Sequence, residues 1–133
     1  MYTMSTTLTG VSFDDAVAKT KAALGEQGFG VLTEIDAKAT MKKKIDADID
    51  DYTILGACNP RMAFSAIEIE PRVGAMLPCN VIVRRTREGV EVSAIDPVAS
   101  MQAIDNDDLK AVAGQVREML HSVVEGLEGR PAG

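Results

Sequence analysis

The 133-residue sequence predicts an α+β fold: a five-stranded, antiparallel-type sheet with helices packed on one face, in the chain order β-α-β-α-β-α-β-β-α. Three observations carry this. Segments rich in β-branched residues alternate with segments whose apolar residues recur every three to four positions. Each long helical segment has one apolar stripe, so it has a single surface to bury and belongs on one side of a sheet. The last two strand segments are joined by a short glycine turn, which makes them antiparallel neighbours.

Residues 2–9, YTMSTTLT, alternate and carry β-branched side chains, and Gly10 ends them. Ser12 is the N-cap of a first helix, with Asp15 three positions on, in place of the usual capping-box Glu. Phe13, Ala16, Val17, Thr20 and Leu24 form its apolar stripe, and Lys19, Lys21 and Glu26 fall off it. Gly28 closes that helix, and FGVLTEI (29–35) follows as a second strand. Asp36 caps a short helix reaching Ile45, whose Lys42, Lys43 and Lys44 complement the negative end of the helix dipole. DADIDD (46–51) reads as a solvated acidic loop. A calcium-binding loop would need a bidentate Glu at its twelfth position, where this chain has Ala57.

YTILGAC (52–58) is nearly continuous in apolar character, as a central strand would be. Asn59 and Pro60 supply the N-cap and first residue of a helix running to about Glu70, and Pro71 stops it. A loose turn, PRVGAML (71–77), leads to the strand PCNVIVRRT (78–86), and the turn at Gly89 starts GVEVSAI (89–95). Asp96-Pro97 repeats the cap-plus-proline signal for a short helical segment, PVASMQAI (97–104). After Asn106 the final helix runs to about Gly126, with Leu109, Val112, Ala113, Val116, Leu120 and Val123 along one broad stripe. The chain reads as a single domain, 1–133, with its core between about 2 and 127 and a frayed tail over 128–133.

Hydrophobic residues make up 46% of the chain and aromatics only 4%, with no tryptophan, so the core must be aliphatic. The net charge of −6 opposes phosphate backbones and anionic lipid, so neither nucleic acid nor membrane is an expected partner. No run of about 18 apolar residues is present to span a bilayer. The N-terminal MYTMSTTLTG lacks the basic-then-apolar pattern of a secretory signal. The expected compartment is the cytoplasm, with both cysteines as reduced thiols. Thr, Arg and Glu at alternate positions of the first and fourth strands let part of the second sheet face meet water, and a homodimer is expected to bury the rest.

Candidate chemistry gathers at two Cys-Asn pairs, Cys58-Asn59 and Cys79-Asn80, each at a strand end. Cys58 directly precedes a helix N-terminus, where unpaired amides and the helix dipole favour an anion. Cys79 opens the fourth strand and meets the end of the third if the two are antiparallel neighbours. Asn80, a polar amide in an otherwise apolar strand, must find partners or cost about 1–3 kcal/mol. Cys58 and Cys79 are also the candidate metal ligands, for a soft ion. The single His121 lies opposite the apolar stripe of the last helix and is expected in solvent.

ILGACNPRMA (54–63), LPCNVIV (77–83) and GVEVSAIDP (89–97), in that order, resemble the domain-of-unknown-function 302 family of small bacterial and archaeal proteins. The likeness runs from about Phe13 to Leu127. Gly56, Cys58, Asn59 and Pro60 match the first signature, Leu77, Pro78, Cys79 and Asn80 the second, and Ala94, Ile95 and Pro97 the third. The resemblance implies a sheet of the TATA-box-binding-protein-like class layered against helices, often in a dimer. It does not imply DNA binding, since a fold does not carry function with it. The chain departs from the family in the acid-rich loop before its third strand.

No phosphate loop, dinucleotide fingerprint or catalytic triad is visible, and no cofactor is implied. The sequence points to a small binding protein, a thiol-based redox module or a soft-metal or small-ligand module centred on Cys58, Asn59, Cys79 and Asn80, more than to an enzyme. The competing reading is a protein-interaction module in which both cysteines are only core packing.

Overall fold

The computed structural model describes residues 1–128; the expected frayed tail therefore lies, but for residue 128, outside the described residues. Five strands, β1 (Thr3–Leu8), β2 (Gly30–Asp36), β3 (Tyr52–Cys58), β4 (Cys79–Arg85) and β5 (Val90–Ile95), form one sheet in the order β1-β5-β4-β3-β2. Every neighbouring pair is antiparallel. The helices are α1 (Phe13–Glu26), α2 (Ala37–Ile45), α3 (Pro60–Ile69), α4 (Pro97–Ser100) and α5 (Asp107–Gly126).

The helix starts follow local chemistry. Ser12, Asp36, Asn59, Asp96 and Asn106 each accept a hydrogen bond from a backbone amide in the first turn of the helix they precede. Asp96 does two things with one carboxylate. Oδ1 accepts from the amides of Val98 and Ala99, while Oδ2 accepts from Nε of Arg117 at 3.0 Å, tying α4 to α5.

Side chains alternate across each strand, so β4 sends Val81 and Val83 inward and Asn80, Ile82 and Arg84 outward. The inward set packs under α1 and α5, where Ala16, Leu24, Leu120 and Leu127 meet Leu8, Leu55, Val92 and Ala94. A second, smaller core gathers Ala66 from α3, Val73 from the segment after it, Met101 from just beyond α4, and Leu109 and Ala113 from the start of α5. α5 is shared by both cores.

The other sheet face carries no helix. Its outward residues are mostly small or aliphatic, with Ile35 beside Ile54 and Ile54 beside Ile82 in register across β2, β3 and β4. Arg84 and Glu91 are its charged side chains, and they pair with each other at 2.9 Å. Ser5 and Ser93 extend this pair across β1, with their hydroxyls 2.6 Å apart and Ser93 donating to Glu91.

Three expectations need correcting. Residues 71–76 are not a loose turn but a 3₁₀ helix, capped by Glu70, whose side chain accepts from the amide of Arg72. α4 ends at Ser100 rather than Ile104, because Met101 leaves the helical path to enter the smaller core. Lys19, placed off the apolar stripe of α1, is only 5% exposed, and it lines a hollow with Leu8 and Val11 at the end of β1.

Candidate functional site

β3 and β4 bring the two cysteines together. Ala57 stands opposite Cys79 in the ladder, so Cys58, the next residue, ends its strand beside the residue that begins the other. Both cysteines are free thiols and both residues line one apolar cleft. The cleft holds about 30 Å³ of free space, room for roughly two water-sized groups. α3 contributes Met62 and Ala66 to its walls, α5 contributes Ala113, and Met101 closes it from beyond α4. It therefore lies at the seam between the two cores, with Cys79 in the larger and Met101 in the smaller.

Cys79 is 8% exposed and Cys58 is half-buried. Burial pushes the Cys79 thiol up to about 11, and the neighbouring Cys58 adds to the rise. The cause is desolvation: a thiolate in an apolar wall loses its hydration and gains no counter-charge. Cys79 is thus a neutral thiol at physiological pH.

Asn59 serves as a clamp. Its Oδ1 caps α3 by accepting from the amide of Met62 at 3.4 Å. Its Nδ2 donates to the carbonyl of Gln27 at 3.4 Å, at the end of α1, and lies 3.7 Å from the sulfur of Met119 on α5. The fit favours glycine at position 28, where a Cβ would stand a tight 3.2 Å from Asn59 Nδ2 on a backbone with φ of 84°. Asn59 lines the cleft, but its polar atoms are committed to holding three helices.

Asn80 separates from the other three. It points to the helix-free face, opposite Gly56, and is exposed, so the expected buried amide in need of partners is not there. The reason is the period of two: with Cys79 turned inward, its successor must turn outward. Asn80 lines a shallow hollow on that face with Met76, Pro78, Ile95 and Ser100. Gly56, beneath it, is required by packing, because a Cβ there would run into Thr33 and the ring of Pro78. His121 is exposed as expected and lies 3.2 Å from Glu125 one turn on.

The methionines were not singled out in the sequence, although one carried a signal. Met62 stands four positions after Cys58, inside the first turn of a helix whose start the cap had fixed. Met101 is brought in by tertiary folding alone. Among the described residues no group of three or more His, Cys, Asp or Glu side chains is placed to hold a metal ion.

No helix among the described residues is long and apolar enough to cross a membrane. None of the curated proteins compared matches the chain. The crystal structure of an uncharacterized conserved protein DUF302 from Bacillus stearothermophilus has the same fold, with a TM-score of 0.88, 20% sequence identity, and coverage of 94% of this chain and 97% of that one. The profile of the domain of unknown function DUF302 matches residues 4–127, through β1, both Cys-Asn pairs and the whole of α5. The chain belongs to the DUF302 family.

Proposed function

We propose that this protein is a small binding module whose site is the cleft of Cys58 and Cys79. The observation that carries the reading is that two thiols from separate segments line one apolar cavity at the seam of two cores. A ligand there must be small and must tolerate dehydration, because the walls are almost wholly apolar. Thiol-based redox catalysis fits less well, since the buried Cys79 stays protonated at neutral pH and the attacking species is the thiolate. Two arrangements support binding at Cys58 in particular: it is half-buried rather than sealed, and it lies just before the N-terminus of α3.

The test is native mass spectrometry with elemental analysis on protein purified without oxygen or chelator. A stoichiometric bound species, absent from a Cys58→Ser, Cys79→Ser double variant, supports the module. A bare chain, whose thiols no small molecule or ion protects from alkylation, would reduce the cleft to core packing.

A second reading, compatible with the first, is self-association through the helix-free sheet face. In a chain of net charge −6, this face holds only the mutually neutralised Arg84 and Glu91 around its isoleucine row. Two copies related by a two-fold axis can therefore stack without like-charge repulsion. Sedimentation of wild type against Ile82→Glu distinguishes the cases: a dimer that becomes a monomer supports the reading, and a wild-type monomer at high micromolar concentration ends it. The expected cytoplasmic location accords with two free thiols.

A further inference from the structure

The ligand class follows from what lines the cleft. The chain has two cysteines and seven methionines, and four of these nine sulfur-bearing residues, Cys58, Cys79, Met62 and Met101, line one cavity. No carboxylate and no imidazole lines it. Resting on the reading of the cleft as a binding site, we propose that its ligand is a soft monovalent cation of the Cu(I) class, held by the sulfurs of Cys58 and Cys79 and completed by the thioethers of Met62 and Met101.

The donor set decides between metals. Zinc takes four ligands in structural sites and three plus water in catalytic ones, drawn from thiolate, imidazole and carboxylate. Here only two such donors are present. Calcium and magnesium require oxygen. Thiolate and thioether are the donors that soft Cu(I) prefers, and it accepts low coordination numbers that harder ions refuse. The space of about 30 Å³ suits a bare ion rather than a hydrated one or an organic molecule.

The charge can be accounted for. Each thiol that ligates gives its proton to solvent. Two thiolates and one monovalent cation leave a single negative charge, beside the N-terminus of the ten-residue α3, where the helix dipole favours an anion. Asn59 holds that terminus in place by its bond to the amide of Met62 and its reach to Gln27. Met101 joins the set only while the smaller core is packed against the larger, so an ion in the cleft would bridge the two.

The experiment is an anaerobic titration of the full chain with Cu(I) against a competing chelator, with Zn(II) in parallel, followed by X-ray absorption of the copper-loaded protein. The variants are Cys58→Ser with Cys79→Ser, and Met62→Leu with Met101→Leu, the latter chosen because leucine keeps the volume and apolarity of the wall. The expected result is one Cu(I) per chain with only sulfur neighbours, loss of binding in the cysteine variant, and binding weakened by roughly tenfold or more in the methionine variant. Cu(I) binding that the methionine variant leaves unchanged, or that shows nitrogen or oxygen neighbours, overturns the four-sulfur site while leaving a thiol-centred module. A different species protecting Cys58, with no Cu(I) taken up, overturns the ligand class but not the module. No uptake and no protection by anything overturns both. Should the cysteine variant fail to fold, alkylation of Cys58 in the folded wild-type protein before titration serves in its place and must abolish uptake.

Discussion

Arg84 and Glu91 face each other across β4 and β5 in a two-point ion pair, with Nε of Arg84 2.9 Å from Oε1 of Glu91 and its terminal nitrogen 3.3 Å from Oε2. The hydrogen bond from Arg84 holds the Glu91 carboxyl below its ordinary value of 4.5, and the hydroxyl of Ser93 helps. A carboxyl depressed in the folded state stabilises it above the unfolded value and loses that contribution as pH falls through the folded one. Stability should therefore decline below about pH 4.5 by a component that Glu91→Gln lacks. The pair is partly exposed, so a double-mutant cycle with Arg84→Met at neutral pH should return only about 0.2–1 kcal/mol.

Cys79 titrates in the opposite sense. Its folded value, about 11, lies above the ordinary 9.0, so its contribution is fully present below pH 9.0 and is lost as pH rises toward 11. In the metal-free protein, iodoacetamide at neutral pH should label Cys58 and leave Cys79 untouched. Cys79 labelling should climb steeply above pH 9.0, and denaturant should erase the difference between the two. Equal rates in the native protein at neutral pH would contradict the burial argument.

Asn59→Ala should cost about 1 kcal/mol or more, as the loss of a helix N-cap does. Asn59→Asp separates the residue's two jobs, because the carboxylate still caps α3 but can no longer donate to Gln27 and instead faces its carbonyl oxygen. Thermal melts should rank wild type above both, with the Asp variant regaining part of its deficit as pH falls and the carboxyl becomes a donor.

Gly56→Ala should be among the most damaging single-methyl changes in the chain. The added carbon meets the side chain of Thr33 from β2 and the ring of Pro78 at once, so both must shift to admit it. Overpacking of this kind costs about 1–3 kcal/mol. Urea unfolding measures it, and a loss under 0.5 kcal/mol, the level of an ordinary surface change, would show that the strand end yields.

The helix starts were legible in the sequence because they depend on neighbours within four residues. Ser12, Asp36, Asn59, Asp96 and Asn106 all cap as their positions indicate. The meeting of Cys58 and Cys79 was conditional on β3 and β4 pairing, which they do. What failed was information carried between elements. The sequence could not tell which way β4 faces, and that single parity moved Asn80 from the core to the open face. Lys19 looked solvated from the helix pattern alone and is covered by the end of β1. Met101 had no local mark, since its place beside Cys79 exists only once α4 has docked on α5.

The division into two cores has a consequence for amide hydrogen exchange. The smaller core buries a handful of side chains and is fastened to the rest chiefly by Asn59, by the Asp96–Arg117 pair and by α5 itself, which at 20 residues spans about 30 Å. Cooperative opening units follow such seams. Amides of α3 and of the 71–76 3₁₀ helix should exchange through a partial opening that leaves β3, β4 and β5 protected, so the wall of the cleft can swing aside while its floor stays formed. Anything gripping both walls would slow the exchange of α3 without altering the sheet.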